Sequence, residues 1–600
     1  MPVAPTYPGV YVEEIPSGVR TITGVATAIT AFIGRALRGP TDADESAPVF
    51  INSYGDFERV FGGLAIGYPM SYAVRDFFLN GGAQALIVRL FEPEAGQNGK
   101  PAKTSVTVGD FTLEGAYEGS WGTNLRAAVD QNASEDAAKS LGLTVDQLFN
   151  LTVRDVGPNG RTEQFLNLTV EESDRRIDKV LKAESKLLRW QGDFKKPDLK
   201  KFKDIADAKK KSADEQKKLD DLLKAQPPDP AAIDAQKKVV ADAATALNTA
   251  SAALSDPVSQ AEQKLADARK TNPPNSQAVK DAQKAVKDAL DKIATSDGAA
   301  LTANNFTGPG KENSKQGLYA LRKADLFNIL CIPPYLSSSD VDAAVVAEAG
   351  AYCERRRAML LADPPSAWLD KDKAKSGVID LGTNSKNAAV FFPRLSMPNP
   401  LRDNRLETFV PCGAVAGIFA RTDTQRGVWK APAGLDATLV GVLALSVPLT
   451  DAENGELNPL GINCLRTLPP VGRVVWGSRT LQGDDRLGSE WKYIPVRRTA
   501  LYIEESVYRG LQWVVFEPND EPLWAQIRLN VGAFMHNLFR QGAFQGQTPK
   551  DAYFVKCDKE TTTQTDINLG IVNVIVGFAP LKPAEFVIIK LQQMAGQIQT

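Results

Sequence analysis

His536 is the one histidine in a chain of 600 residues, so imidazole chemistry of any kind has a single candidate. A serine hydrolase would need that ring beside a serine and a carboxylate, and no G-x-S-x-G elbow accompanies it. Asp484-Asp485 could form a carboxylate dyad or a calcium site, but its glycine-rich setting reads as a solvated turn. Gly308-Pro309-Gly310-Lys311 has the glycines and lysine of a phosphate loop without its spacing or its hydroxyl residue, so nucleotide binding is unsupported. The five cysteines (Cys331, Cys353, Cys412, Cys464 and Cys557) are scattered and form no C-x-x-C pair. They read as buried thiols in a reducing compartment rather than a disulfide framework or a zinc site. No catalytic residue, metal or cofactor is expected. The one enzymatic alternative is a hydrolase using His536.

Composition points the same way. A net charge of −2 gives no support to nucleic-acid binding or to a basic membrane-surface role. Hydrophobic residues at 43% and charged residues at 24% are ordinary for a globular protein large enough for several domains. No apolar run reaches the roughly 18 residues that a membrane helix needs, and residues 1–6 lack the pattern of a signal peptide. Folding and assembly in a cytoplasm, without membrane insertion, are the expectation.

The elements follow from periodicity and turn residues. Val25 to Ile33 and Ala85 to Leu90 read as buried strands, with helices around Phe57 to Phe61 and Tyr72 to Leu79 between them, stopped by glycines. Residues 99–172 show short alternating strands separated by turns, a β-rich insert. Residues 173–300 are rich in Ala, Lys, Asp and Gln. Ile233, Val240, Ala243, Leu247, Ala250 and Leu254 fall at steps of three and four, as do Val279, Ala282, Val286, Leu290 and Ile293. With X-Pro breaks between them, these seams predict three or more antiparallel helices, a coiled-coil-like insert. The α/β pattern resumes at Gly317 with a strand over Leu326 to Ile332, a helix over Val341 to Leu360 and a strand over Leu360 to Ala362. The expected class is α/β: a split core domain (23–98 and 312–480), an α+β C-terminal domain (481–600) and the two inserts.

Both ends of the chain look like strands without partners. Val10, Tyr11 and Val12 lie in an extended stretch of a 1–22 arm, and Leu569 to Phe578 and Glu585 to Leu591 read as two strands joined by Pro580-Leu581-Lys582-Pro583. A two-stranded ribbon is marginal in water, so these segments either close one sheet internally or add strands to neighbouring copies. Exchange is the favoured reading, with Phe586, Val587, Ile588 and Ile589 as the C-terminal arm. The helix Leu523 to Phe539 carries Leu523, Trp524, Ile527, Val531, Phe534, Met535 and Leu538 along one stripe.

Several longer motifs in this chain resemble those of the contractile phage tail sheath family, which includes phage-tail-like injection particles. They are Pro8 to Glu14, Arg355-Arg356-Arg357-Ala358-Met359, Arg426-Gly427-Val428-Trp429-Lys430-Ala431-Pro432-Ala433, Trp476-Gly477-Ser478-Arg479-Thr480 and the tail segment from Gly546 to Gly577. The resemblance covers roughly 1–98 and 312–600 and leaves out the helical insert. It implies a structural subunit that stacks as hexameric rings around an inner tube and contracts to drive the tube through a target envelope. The implied partners are further copies of the chain, the inner tube protein, and baseplate and terminator or cap proteins. It also implies a tube-contacting helix in the C-terminal domain, here assigned to Gln526, Arg528, Asn530, Asn537 and Arg540, and a subtilisin-like look to the central domain that carries no catalysis.

Overall fold

Strands buried on both faces organise the chain. The structure, a computed structural model, describes residues 21–94, 100–158, 160–224, 229–271, 273–274, 276–335 and 339–590. Its largest sheet has eight strands, in the order Gly472–Val475, Ile462–Leu468, Ala388–Phe392, Met359–Ala362, Ile329–Cys331, Thr30–Gly34, Ala85–Arg89, Val49–Ile51. The six inner strands run parallel and each edge strand is antiparallel. Thr30 pairs with Ile329 on one side and Ala85 on the other, so the centre of the sheet joins segments about three hundred residues apart.

Alternation along these strands divides the core. Phe32, Ile87, Cys331, Leu361 and Phe391 point to one layer, where helices Pro69–Leu79 and Cys412–Arg426 cover them. Ile33, Val88, Leu330, Leu360 and Val390 point to the other, against the turn Gly317–Lys323 and the helix Ala343–Arg355. The two helices of the first layer meet backbone to backbone. A Cβ on Gly413 would lie 2.0 Å from the Ala73 carbonyl oxygen, and one on Gly417 2.4 Å from that of Phe77. Only hydrogen fits at these positions.

The excursion between the two halves of the sheet leaves and returns at one place. The Ser296 amide donates to the Pro101 carbonyl (3.1 Å) and the Ala299 amide to that of Glu92 (2.8 Å). Inside it are two three-stranded sheets, Ser105–Val108 with Phe111–Gly115 and Leu188–Trp190, and Leu125–Asp130 with Leu148–Asp155 and Thr162–Thr169. Sheet pairing thus continues past residue 172. Four helices follow, Lys200–Lys224 against Pro230–Ala252 and Pro257–Thr271 against Gln277–Lys292. Asp229 caps the second by accepting from the Ala231 and Ala232 amides (3.0 and 3.2 Å). Phe202, Ile205 and Leu254 are buried among the strands' side chains, so the roots of the helices share the β-rich core. Buried Arg38 pairs with buried Asp155 (2.5 Å), tying the excursion to the main sheet. No helix among the described residues is long and apolar enough to cross a membrane.

Candidate assembly site

Residues 494–590 form a second body against the sheet, held there by buried charge. Arg498 of helix Ile494–Gly510 makes a two-bond pair with Asp423 (2.8 and 2.6 Å), both side chains about 5% exposed or less, and donates to the Thr27 carbonyl. Arg357 pairs with Glu505 (2.8 Å), and Arg356 donates to the carbonyls of Leu321 and Ala324 (2.8 and 2.9 Å). The arginine run singled out in the sequence is therefore structural wiring. Trp429 enters the apolar cluster of this body. Its neighbour Gly427 ends helix Cys412–Arg426 at φ 96°, where a Cβ would meet the Trp429 ring at 2.4 Å.

Helix Glu521–Arg540 is capped by Asp520, whose carboxylate accepts from the Leu523 amide. Leu523, Trp524, Ile527, Val531, Phe534, Met535 and Leu538 are buried along one stripe, as their spacing predicts. Of the polar residues assigned to its outer face, Gln526, Asn537 and Arg540 are exposed. Arg528 is half-buried, bonded to the Glu521 carboxylate and the Cys557 carbonyl. Asn530 corrects the sequence assignment. It is 1% exposed, because it stands three residues after Ile527 and four before Phe534, on the apolar stripe itself. Neither its Oδ1 nor its Nδ2 has a hydrogen-bond partner.

The C-terminal ribbon also differs from the expected one. Strand Ile575–Phe578 pairs with Tyr553–Lys556, from Tyr553↔Phe578 to Lys556↔Ile575, and these two strands make up the whole sheet among the described residues. Leu569 to Val574 lies outside the strand, because the short helix Gln564–Asn568 precedes it and turns the chain. Glu585 to Lys590 forms no strand within the subunit. Phe586, Val587, Ile588 and Ile589 are 73%, 82%, 80% and 78% exposed. Val10, Tyr11 and Val12 lie outside the described residues.

Both arm roots are held by helix Ile494–Gly510 and the segment before it. Ile22 is buried in the C-terminal apolar cluster, and the Val25 amide donates to Ser506 Oγ (3.2 Å). At the other end, Glu585 accepts two bonds from Arg479 (2.8 and 2.6 Å) and one from the Tyr493 hydroxyl (3.2 Å). Sequence reasoning named Arg479 in a motif and Glu585 at the start of a strand, but did not bring Arg479, Tyr493 and Glu585 together. The one signal was an acidic residue directly before an apolar tail.

The residues first suspected of chemistry are engaged elsewhere. His536 is exposed on helix Glu521–Arg540, with the rings of Phe539 and Tyr553 at 6.2 and 6.5 Å. Asp484 pairs with Arg486, and Asp485 with Lys492 and Arg479; these bonds hold both carboxyls below their ordinary range, the reverse of a proton-sharing dyad. Lys311 reaches Asp42 (3.5 Å). All five thiols are buried, and burial pushes them up, Cys464 to about 12 and Cys557 to about 11.

Residues 488–593 match the phage tail sheath C-terminal domain. A prophage major tail sheath protein of Pseudomonas aeruginosa is 25% identical over 174 residues, a match covering 28% of this chain and 42% of that relative. The crystal structure of a sheath tail protein from Listeria innocua covers 93% of this chain and 96% of its own at 11% identity, with a TM-score of 0.52, which shows a common fold. The sheath complex of an extracellular contractile injection system in its contracted state covers 98% of each chain at 19% identity, with a TM-score of 0.49.

Proposed function

With a phage tail sheath C-terminal domain over residues 488–593, this chain is a relative of tail sheath proteins, and from that premise we propose that it is the sheath subunit of a contractile tail or phage-tail-like injection particle. Copies stack as hexameric rings around an inner tube, between a baseplate and a terminator or cap protein, after assembly in a bacterial cytoplasm. On triggering, the lattice shortens and widens and drives the tube through a target envelope. The role is mechanical rather than catalytic.

One observation carries the reading. The C-terminal ribbon is two strands wide with both edges unpaired among the described residues, while an apolar tail stands 73–82% exposed beside it. Such edges and tails are complementary, and a two-stranded ribbon needs further strands for stability. The tail of one copy and the Val10-Tyr11-Val12 segment of another supply them by strand addition. About five backbone bonds at roughly 0.5–1.5 kcal/mol each give several kcal/mol per arm. Burying two or three of Val10, Val12, Ile588 and Ile589 adds roughly 1.5–3 kcal/mol apiece before ordering costs. Arms of this strength keep copies joined while their bodies rotate. The work of contraction comes from a metastable lattice relaxing across a kinetic barrier. On helix Glu521–Arg540, Gln526, Asn537 and Arg540 form the face toward the inner tube.

The test is purified protein examined by sedimentation and negative-stain microscopy, with residues 1–20 or residues 586–600 deleted. The full chain is expected to form tubes or rings. Each truncation is expected to keep the thermal unfolding of the monomer and to lose polymerisation. A truncated chain that builds normal tubes, or one that unfolds as a monomer, overturns strand exchange.

A further inference from the structure

Arg479 is the most completely enclosed charge in the C-terminal half. Its side chain is 0% exposed, and four hydrogen bonds hold its guanidinium. Nε and Nη2 reach the two oxygens of Glu585, and Nη1 reaches the Gly483 carbonyl (3.1 Å) and Asp485 (3.0 Å). Its backbone is fixed too. The Arg479 amide donates to Asn463 Oδ1 (2.6 Å), and the Asn463 side-chain amide donates back to the Arg479 carbonyl (2.8 Å). Asn463 belongs to strand Ile462–Leu468 of the main sheet and is 0% exposed. The Trp476-Gly477-Ser478-Arg479-Thr480 motif thus connects the most rigid layer of the molecule to one residue of the tail, Glu585.

We propose that Arg479, with Tyr493, clamps Glu585 so that the C-terminal arm leaves the subunit at one fixed point and reaches a second copy of this chain in one register. The proposal rests on the strand-exchange reading above. Beyond the clamp, residues 586–600 reach about 50 Å when extended. Without it, the next fixed point is the Gln545 amide bond to the Ala579 carbonyl (2.9 Å). Six residues of slack, about 20 Å, would then be added. Slack lowers the effective concentration of the arm at its acceptor. It also relaxes register, and a slip of one residue exchanges Phe586 and Ile588 for Val587 and Ile589 on the buried face. Arg479, Tyr493 and Glu585 are positioning residues: they hold the arm and do not themselves enter the exchanged strand.

The experiment uses the full chain with a nitroxide label on Ala584→Cys, which the five buried native thiols allow to be labelled selectively. The label is expected to give an immobilised spectrum in the parent and a mobile one in Glu585→Ala. Glu585→Ala is expected to raise the concentration needed for polymerisation by about tenfold, and to lower thermal unfolding as well because buried Arg479 keeps only Asp485 as a carboxylate partner. Tyr493→Phe is expected to shift both readouts in the same direction by less, and it provides the measurement if Glu585→Ala unfolds early. Deletion of 586–600 is the control for strand exchange itself. If that deletion abolishes polymers while both point variants polymerise as the parent does, the clamp is wrong and strand exchange stands. A label at 584 that is already mobile in the parent also overturns the clamp. If the deletion leaves polymers intact, strand exchange fails, and the clamp has no arm to position.

Discussion

Asp363 closes the parallel strand Met359–Ala362 and caps the start of helix Cys412–Arg426, its Oδ1 accepting from the Cys412 amide (2.9 Å). Its Oδ2 is buried without a hydrogen-bond partner. Desolvation raises its pKa to about 7, against lowering by the bonds from Cys412 and by Arg394, with Asp340 raising it further. The native state therefore holds a proton that the unfolded chain releases near pH 4. Stability is lost as pH rises from there through 7, and is constant above. Asp363→Asn keeps the cap and removes the ionisation. It should unfold at higher temperature than the parent at pH 8, by an amount no greater than about 4 kcal/mol because part of the residue reaches solvent. The difference should shrink as pH falls towards 5, which calorimetry at both pH values would read. Asn530 offers a second test. A buried amide with neither atom bonded costs about 1–3 kcal/mol, so Asn530→Leu, similar in volume, should stabilise the monomer by about that much in urea unfolding.

Helix Glu521–Arg540 shows how an element can be assigned correctly while one of its residues is not. The stripe follows from spacing at three and four, but polarity alone put Asn530 outside. Arg528 is partly committed to Glu521 and the Cys557 carbonyl, so reversing its charge would disturb the fold along with any contact. The cleaner variant is Asn537→Glu with Arg540→Glu. Exposed charge contacts are worth about 0–1 kcal/mol each and are screened by salt. The double variant should therefore weaken co-sedimentation with the inner tube several-fold, more at low salt than at high, with unchanged unfolding. Equal binding at both salt concentrations would remove this helix as the tube contact.

At the scale of the whole molecule, the excursion from Pro101 to Ser296 is separable because its two ends already hydrogen-bond to each other. Joining them with a short Gly-Ser linker removes both small sheets and all four long helices without opening the main sheet. It strands two buried arginines: Arg38, 7% exposed, loses Asp155, and Arg89, 1% exposed, loses Glu118. Leaving one member of a buried pair unpartnered costs about 3–5 kcal/mol, so the excision should carry Arg38→Met and Arg89→Met. The shortened chain is expected to fold and still form tubes, thinner by microscopy. A folded remainder that no longer assembles would place the excursion at the interface between copies.

The sequence determined what depends on near neighbours. The both-faces-buried strands at Ala85–Arg89 and Ile329–Cys331 were legible from unbroken apolar runs. The paired helices of the excursion were legible from their seams and proline breaks, and the apolar stripe of helix Glu521–Arg540 from its spacing. The motifs carried the resemblance to tail sheaths. Tertiary structure alone decided the pairings, because strand partners are chosen by contacts distant in sequence. Thr30–Gly34 lies beside Ile329–Cys331 across the whole excursion, and Ile575–Phe578 takes Tyr553–Lys556 rather than the later segment as its partner. The same holds for charge. Neither Arg479 nor Glu585 has a spacing that announces the other, since an ion pair across 106 residues leaves no periodic trace.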